Sequence, residues 1–486
     1  MTFAKPLSFL ILFISLNTFC QETVLTFENE KVSKRLTKES YTFSNTENND
    51  LAILLIEDKN AFAYLFDVDF NQKSALETEG LKSKYNEVVG YTVDDLNYNI
   101  LYANDKKDKF AILNIDFGLG SMDISEFKMD FDGEIYLSTV NYNNQLFLFT
   151  AEDNLELSIW TFNNLSFNKI KTFTLDDLKD KSLLTKNHLV NVYSSNNIGK
   201  PSWNGTKVSG VSKIDQRIPN ILEVTSSLGK LYQTKNKVYL TLENVEDKTY
   251  FYDIDIENYE INLKTFDYPE GTIEPFKKFN SYIYEDKIYQ IASSKHEMNF
   301  SIKNLTGELV KSFYIDKEHP IDFKNSAIIQ EGTRVPFIST RELEETQKYL
   351  RKISSGNLGI TVLKIKNSYH ASMGGYKITK NPTPIPTDLS DPLNTFTTPA
   401  GTYSSYNPTY LAYNTYTKTK STYFHSIFDL EFNHQAGEIE ENIFDKIDTF
   451  KKDKKYSTAD YIFFHDNTLY YGYFDLKEGN YNLVTF

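Results

Sequence analysis

Cys20 is the only cysteine in the 486 residues, and it lies at the edge of an N-terminal apolar segment. If the chain is cut after it, no disulfide, thiol nucleophile or cysteine-built metal site can exist in what remains. Positive charge is also short: 52 basic side chains face 66 acidic ones, for a net charge of −14. An acidic chain repels phosphate backbones and anionic lipid, which argues against nucleic-acid and membrane-surface binding. Beyond the N-terminus no apolar run approaches the roughly 20 residues that a membrane helix needs.

Motifs that mark catalysis are missing as well. The nearest approach to a nucleophile elbow, Ala371-Ser372-Met373-Gly374, has His370 where the first glycine belongs. S-x-x-K occurs at Ser125/Lys128, Ser166/Lys169 and Ser227/Lys230, without the S-D-N or K-T-G partners that give it meaning. His296-Glu297 lacks the second histidine of a zinc helix, and Gly118-Leu119-Gly120 lacks the third glycine of a phosphate loop. The repeated Asp-box of sialidase propellers does not occur. The densest ligand-type cluster is His425, Asp429, Glu431 and His434. On a strand, His425, Asp429 and Glu431 share one face with Ile427, the ordinary pattern of a solvent-facing strand, so no metal is assigned to them. No catalytic, cofactor-binding or metal-binding residue is therefore assigned, and no cofactor is expected.

The N-terminus does carry a signal. Lys5 precedes the apolar run Leu7 to Leu16, and Thr18 and Cys20 occupy the −3 and −1 places if cleavage leaves Gln21 first. This arrangement resembles the export signals of Gram-negative envelope proteins. Asn17 and Phe19 fit a lipobox poorly, so cleavage is expected over lipidation at Cys20. The expected location is periplasmic or extracellular.

Aromatics are the abundant class, with 36 Phe and 34 Tyr against 5 Met, and they suit a pleated, half-buried surface. Tyr250, Tyr252, Ile254 and Ile256 alternate with Phe251, Asp253 and Asp255, as a half-buried strand requires. A phrase also recurs: a polar turn, an aliphatic residue, then tyrosine. It reads Glu134-Ile135-Tyr136, Lys237-Val238-Tyr239, Lys287-Ile288-Tyr289 and Thr468-Leu469-Tyr470, with a looser copy at Ile100-Leu101-Tyr102. Tyr239 and Tyr289 are 50 positions apart, and Tyr136 and Tyr239 are 103 apart, about two such steps. A period of about 40–50 residues built of short strands marks propeller blades. The chain thus resembles degenerate β-propeller repeat proteins, here of the bacterial envelope, without a WD or kelch motif that would name a family.

The expected fold is all-β: a single propeller of about seven blades, near 51–80, 91–125, 126–176, 225–268, 275–317, 358–447 and 456–486. Residues 185–222 read as a long loop or an extra blade. Residues 23–28 alternate and are expected to complete the last sheet, closing the ring. Tandem β-sandwich domains are the alternative, but no linker divides the chain. Two insertions are expected. The first, about 319–357, carries a surface helix at 340–354, with Ser339 and Glu342 as its capping box. The second, about 377–422, is rich in proline and tyrosine; Tyr403, Tyr406, Tyr410, Tyr413 and Tyr416 are the candidate partner-binding residues. The functional expectation is a non-catalytic exported protein that binds a protein or glycan through its inserted loops. The alternative is an envelope glycan hydrolase or lyase with its site in the central funnel.

Overall fold

A computed structural model describes residues 21–28, 39–57, 60–152, 156–178, 211–245, 248–331, 340–376, 403–404, 406–416 and 421–486. Residues 1–20, read from the sequence as an export signal, and most of the second insertion lie outside them.

Among the described residues the strands form seven small sheets that follow one another along the chain. Blade 1 runs from Glu39 to Glu79, blade 2 from Glu87 to Lys128 and blade 3 from Ile135 to Phe173. Blade 4 runs from Val211 to Asp267 and blade 5 from Lys278 to Asp316, blade 6 is assembled from segments between Ile328 and Phe428, and blade 7 runs from Ser457 to Thr485. Most blades are antiparallel meanders whose tight turns hold residues at positive φ, among them Asp95, Lys235, Glu285, Asp466 and Asn467. The recurring tyrosine phrase follows these turns: Tyr102, Tyr239, Tyr289 and Tyr470 each lie on the strand that leaves one.

The ring closes as its edges require. Glu22–Glu28 pairs antiparallel with Asn480–Thr485, so the first described strand becomes the outer strand of blade 7. Phe27 seals the joint, packed between Tyr481 of blade 7 and Tyr64 and Phe66 of blade 1. Neighbouring blades pack through strands near the hub: Glu39–Ser44 against Ser457–His465, Glu87–Asp94 against Ile135–Tyr142, and Lys278–Tyr284 against Asn357–Ile365.

Among the described residues four α-helices punctuate the sheets: α1 (Leu222–Thr225), α2 (Thr346–Ile353), α3 (Pro408–Tyr416) and α4 (Ile443–Asp453). The helix expected at 340–354 is shorter, because Thr340–Leu343 is instead a strand paired with Ile328–Glu331. Ser339 of the expected Ser339–Glu342 box lies outside the described residues, and Glu345 precedes α2 without a side-chain cap. The first insertion is in fact the outer hairpin of blade 6. Its two strands are four residues each, too short for alternation to show. One face of α2 is fully buried against the blade, through Tyr349, Leu350 and Ile353.

Blade 6 has the strand order Thr340–Leu343, Ile328–Glu331, Ser421–Phe428, Ser368–Tyr376, Asn357–Ile365. Two glycines make it close-packed. A Cβ on Gly359 would stand 2.8 Å from the Leu222 carbonyl, so glycine lets α1 lie directly on the inner strand. A Cβ on Gly374 would collide with the backbone of Thr422 and Tyr423 on the neighbouring strand. In the stretch read as a loop or extra blade, Val211–Ile214 is a parallel edge strand of blade 4, and 185–210 lie outside the described residues.

Candidate functional site: a plugged hub and a polar recess

The second insertion turns inward. Tyr403–Ser404 pairs in parallel with Glu87 and Val88 of blade 2, and α3 then contacts the strand Ser457–His465 of blade 7 and the strand Val211–Ile214 of blade 4. Tyr406 donates its hydroxyl to the Thr42 carbonyl of blade 1 (2.8 Å) and accepts from the Tyr461 hydroxyl of blade 7 (2.9 Å). A segment that touches blades 1, 2, 4 and 7 at once must lie on the ring axis. The tyrosines that fill it are anchors. The ring of Tyr406 stacks on Phe43 at 5.7 Å, Tyr410 lies 4.8 Å from Tyr461, and Tyr413 meets Phe444 edge-on at 5.4 Å.

Of the candidate partner-binding tyrosines, Tyr406, Tyr410 and Tyr416 are thus half-buried and Tyr413 buried. Tyr406, Tyr410 and Tyr413 face the hub and the helices, and Tyr403 is described by its backbone alone. Tyr416, at the end of α3, also borders an open cavity. The physical reason lies in the hub itself, where the inner strands leave a channel that amphipathic rings fill with both area and hydroxyls. The plug carries polar latches as well. Thr409 donates to Asp215 at 2.6 Å, and buried Lys213 donates to the Tyr406 carbonyl at 3.2 Å. Burial pushes the Lys213 ammonium down to about 7, against a weaker upward pull from Glu87.

The open cavity lies beside the plug. It has a volume of about 340 Å³, within the range of small-ligand sites. Its walls are the segment 219–222 that enters α1, four strands of blade 6, Tyr416 of α3 and the segment 439–445 that leads into α4. Of the 18 lining residues, 12 are polar, and the apolar ones include Ile221, Leu222, Leu363 and Ile439. The polar groups among them offer hydrogen bonds to a hydroxylated ligand.

Sheet register brings its reactive groups together. Ser372 and His425 are direct cross-strand partners, and Ser372 Oγ lies 2.7 Å from His425 Nδ1. His370 is two residues away on the face shared with Ser372, and Tyr423 two residues from His425. The Tyr423 hydroxyl donates to Glu331 (2.9 Å), and that of Tyr416 donates to Asp445 (2.9 Å). Asp445 is fixed by a capping box in which Asn442 accepts from the backbone of Asp445 and Asp445 accepts from the Asn442 N–H. Lys366 bonds Glu440 at the rim and holds its carboxyl below the usual range. Burial drives His425 down to about 4, aided by the neighbouring His370, and burial lowers His370 too. Both imidazoles are therefore neutral at pH 7.

The histidine–carboxylate cluster of the sequence separates. His425 enters the cavity, whereas Asp429 and Glu431 lie in the turn after the strand and His434 bonds Asn325. The sequence placed His425 on the solvent face, but α1 and α4 cover that face. Among the described residues no group of three His, Cys, Asp or Glu could hold a metal ion. Ser372 and His425 are 53 positions apart, on either side of the second insertion, and no motif spacing links them.

A serine bonded to a neutral histidine is the geometry of a nucleophile and its base. Two features set it apart from a hydrolase triad. Ser372 lies within a strand rather than on a sharp turn, and no carboxylate among the described residues bonds the histidine.

No family model matches the chain, and no curated protein matches it. Among solved structures, a chimera of apocarotenoid oxygenase and RPE65 aligns at 8% identity and TM-score 0.28, over 59% of this chain and 62% of that one. A Synechocystis apocarotenoid oxygenase variant aligns at 9% identity and TM-score 0.29, over 59% and 63%. The chain thus spans less than two thirds of the oxygenase structures it matches. The Dos1 propeller aligns over 96% of this chain and 95% of its own, at 8% identity and TM-score 0.29. At these scores the likenesses carry no argument, and the propeller rests on strand order and ring closure. No helix among the described residues is long and apolar enough to cross a membrane.

Proposed function

We propose that the chain is an exported, non-catalytic propeller that binds one unit of a glycan-type ligand in the recess between blade 6, α1 and α4. The observation that carries this reading is the lining of the recess. Hydroxyls, amides and carboxylates converge there on a cavity of about 340 Å³, already oriented by bonds to one another. Preset hydrogen-bonding groups lower the ordering cost of binding a polyhydroxylated ligand. A cavity of this size takes a small ligand rather than a protein segment, which favours the glycan over a protein partner. Export, to the periplasm or beyond, is supported by the Lys5-to-Gln21 segment. The test is calorimetric titration of the purified chain with envelope-type oligosaccharides, alongside Ser372→Ala and Tyr423→Phe. Binding that falls several-fold in both variants, with unchanged melting, supports the reading; binding that ignores both overturns it.

A glycan hydrolase or lyase is the second reading, and the 2.7 Å Ser372–His425 bond is what favours it. His425, neutral at pH 7, is able to accept a proton. Product analysis after long incubation separates the two readings. Turnover that vanishes in His425→Asn, with binding retained, establishes catalysis.

A further inference from the structure

We propose that the recess selects ligands bearing a cationic ammonium group, of which an amino sugar is the fitting class. This inference rests on the glycan-binding reading above. Three carboxylates, those of Glu331, Glu440 and Asp445, line the recess. Glu440 is bonded there by Lys366, whose side chain is 73% exposed at the rim. Asp445 accepts from two neutral donors, the Tyr416 hydroxyl and the Asn442 N–H. Glu331 adds a carboxylate bonded by the Tyr423 hydroxyl. The nearby histidines, His370 and His425, supply no compensating positive charge at neutral pH.

An independent feature points to a ligand. Ser421 lines the recess at 1% exposure, and its Oγ has no hydrogen-bond partner among the described residues. A buried hydroxyl left unpaired is costly, so the site is incomplete without a group to bond it. An ammonium supplies three donors in one place, whereas the walls supply chiefly acceptors: the Asp445 and Glu331 carboxylates, the Ser421 oxygen and the faces of Tyr416 and Tyr423. A metal ion fits less well, since no three ligating side chains converge among the described residues. Charge-assisted bonds to a carboxylate are about twice as strong as neutral ones, so they set the selectivity.

The experiment is calorimetric titration of the purified chain at pH 6.5 with glucosamine, N-acetylglucosamine and glucose. The three share a ring but differ in charge at one position. The expected result is glucosamine binding at least about tenfold tighter than either neutral sugar, the scale of one charge-assisted bond. Asp445→Asn and Glu331→Gln should each remove most of that preference. Asp445 also caps α4, so melting is measured for both variants, and Glu331→Gln decides the matter if Asp445→Asn is unstable. Equal binding of all three sugars overturns the ammonium preference and leaves the glycan reading standing. A preference that survives in both stable variants overturns the assignment to this recess. If no charged sugar binds, the proposal fails, and the titration with neutral oligosaccharides decides the glycan reading separately.

Discussion

Ser372 and His425 stand opposite each other on adjacent antiparallel strands, 2.7 Å apart between Oγ and Nδ1, although 53 residues separate them in the chain. The pairing forms only when the strand after the tyrosine-rich insertion returns beside the strand before it.

His425 makes stability depend on pH in a defined window. Its unfolded value is 6.5 and its folded value about 4. Above 6.5 both states are neutral and nothing changes. As pH falls from 6.5 to 4, the unfolded state takes a proton that the folded state refuses, so stability is lost; below 4 the loss levels off. A gap of this size corresponds to up to about 3 kcal/mol. Urea unfolding of the native chain and of His425→Asn across pH 7.5–4 should show a smaller loss in the variant. Parallel curves would contradict the assignment.

The plug tyrosines should act as core. Tyr406→Phe removes a hydroxyl that bonds Thr42 and Tyr461. It is expected to cost about 1–2 kcal/mol, and Tyr406→Ala about 3–5 kcal/mol. Tyr416→Phe, at the cavity edge, should weaken ligand binding more than it lowers melting. Thermal unfolding alongside ligand titration distinguishes the two classes. A Tyr406→Ala protein of native stability would mean that the hub is not filled as described.

Ring closure can be measured at Phe27, which is 7% exposed between blades 7 and 1. Phe27→Ala should destabilise by about 3–5 kcal/mol, the usual range for a buried phenylalanine. It should also expose the edge of Asn480–Thr485 to aggregation. Denaturant unfolding with light scattering checks both outcomes; an unchanged midpoint would refute the closure.

Lys230 and Glu243 form an ion pair in blade 4 with both side chains fully buried, 3.1 Å apart. Ser281 and Thr249 also donate to the carboxylate. Lys230→Met alone should cost about 3–5 kcal/mol, because it strands the acid. The double variant with Glu243→Leu should recover much of that loss. A double-mutant cycle of unfolding free energies gives the coupling directly, and additive losses would contradict it.

Much of the fold is legible in the chain because blades are local. Each phrase such as Lys287-Ile288-Tyr289 marks a turn and the strand after it, and alternation in Thr23 to Glu28 identifies the closing strand. Blade 6 resisted for the opposite reason. Its outer strands are four residues long, and its inner strands pair across the second insertion, so neither period nor spacing reports the order. The tyrosines of the insertion were conspicuous, but composition does not tell whether a ring faces solvent or a channel. His425 read as solvent-facing because a strand's alternation cannot show that helices from elsewhere, α1 and α4, cover that face. The recess was hidden for the same reason. Its groups come from five segments, brought together by the sheet register and by the helices packed on it.

The central claim is that the recess between blade 6, α1 and α4 is the ligand site. A crystal structure of the chain with the oligosaccharide it retains tests this most directly. The account predicts a sugar ring in that cavity, within hydrogen-bond distance of Ser372, Tyr423 and Asp445. An empty cavity, with the sugar bound on another face of the propeller, would contradict it.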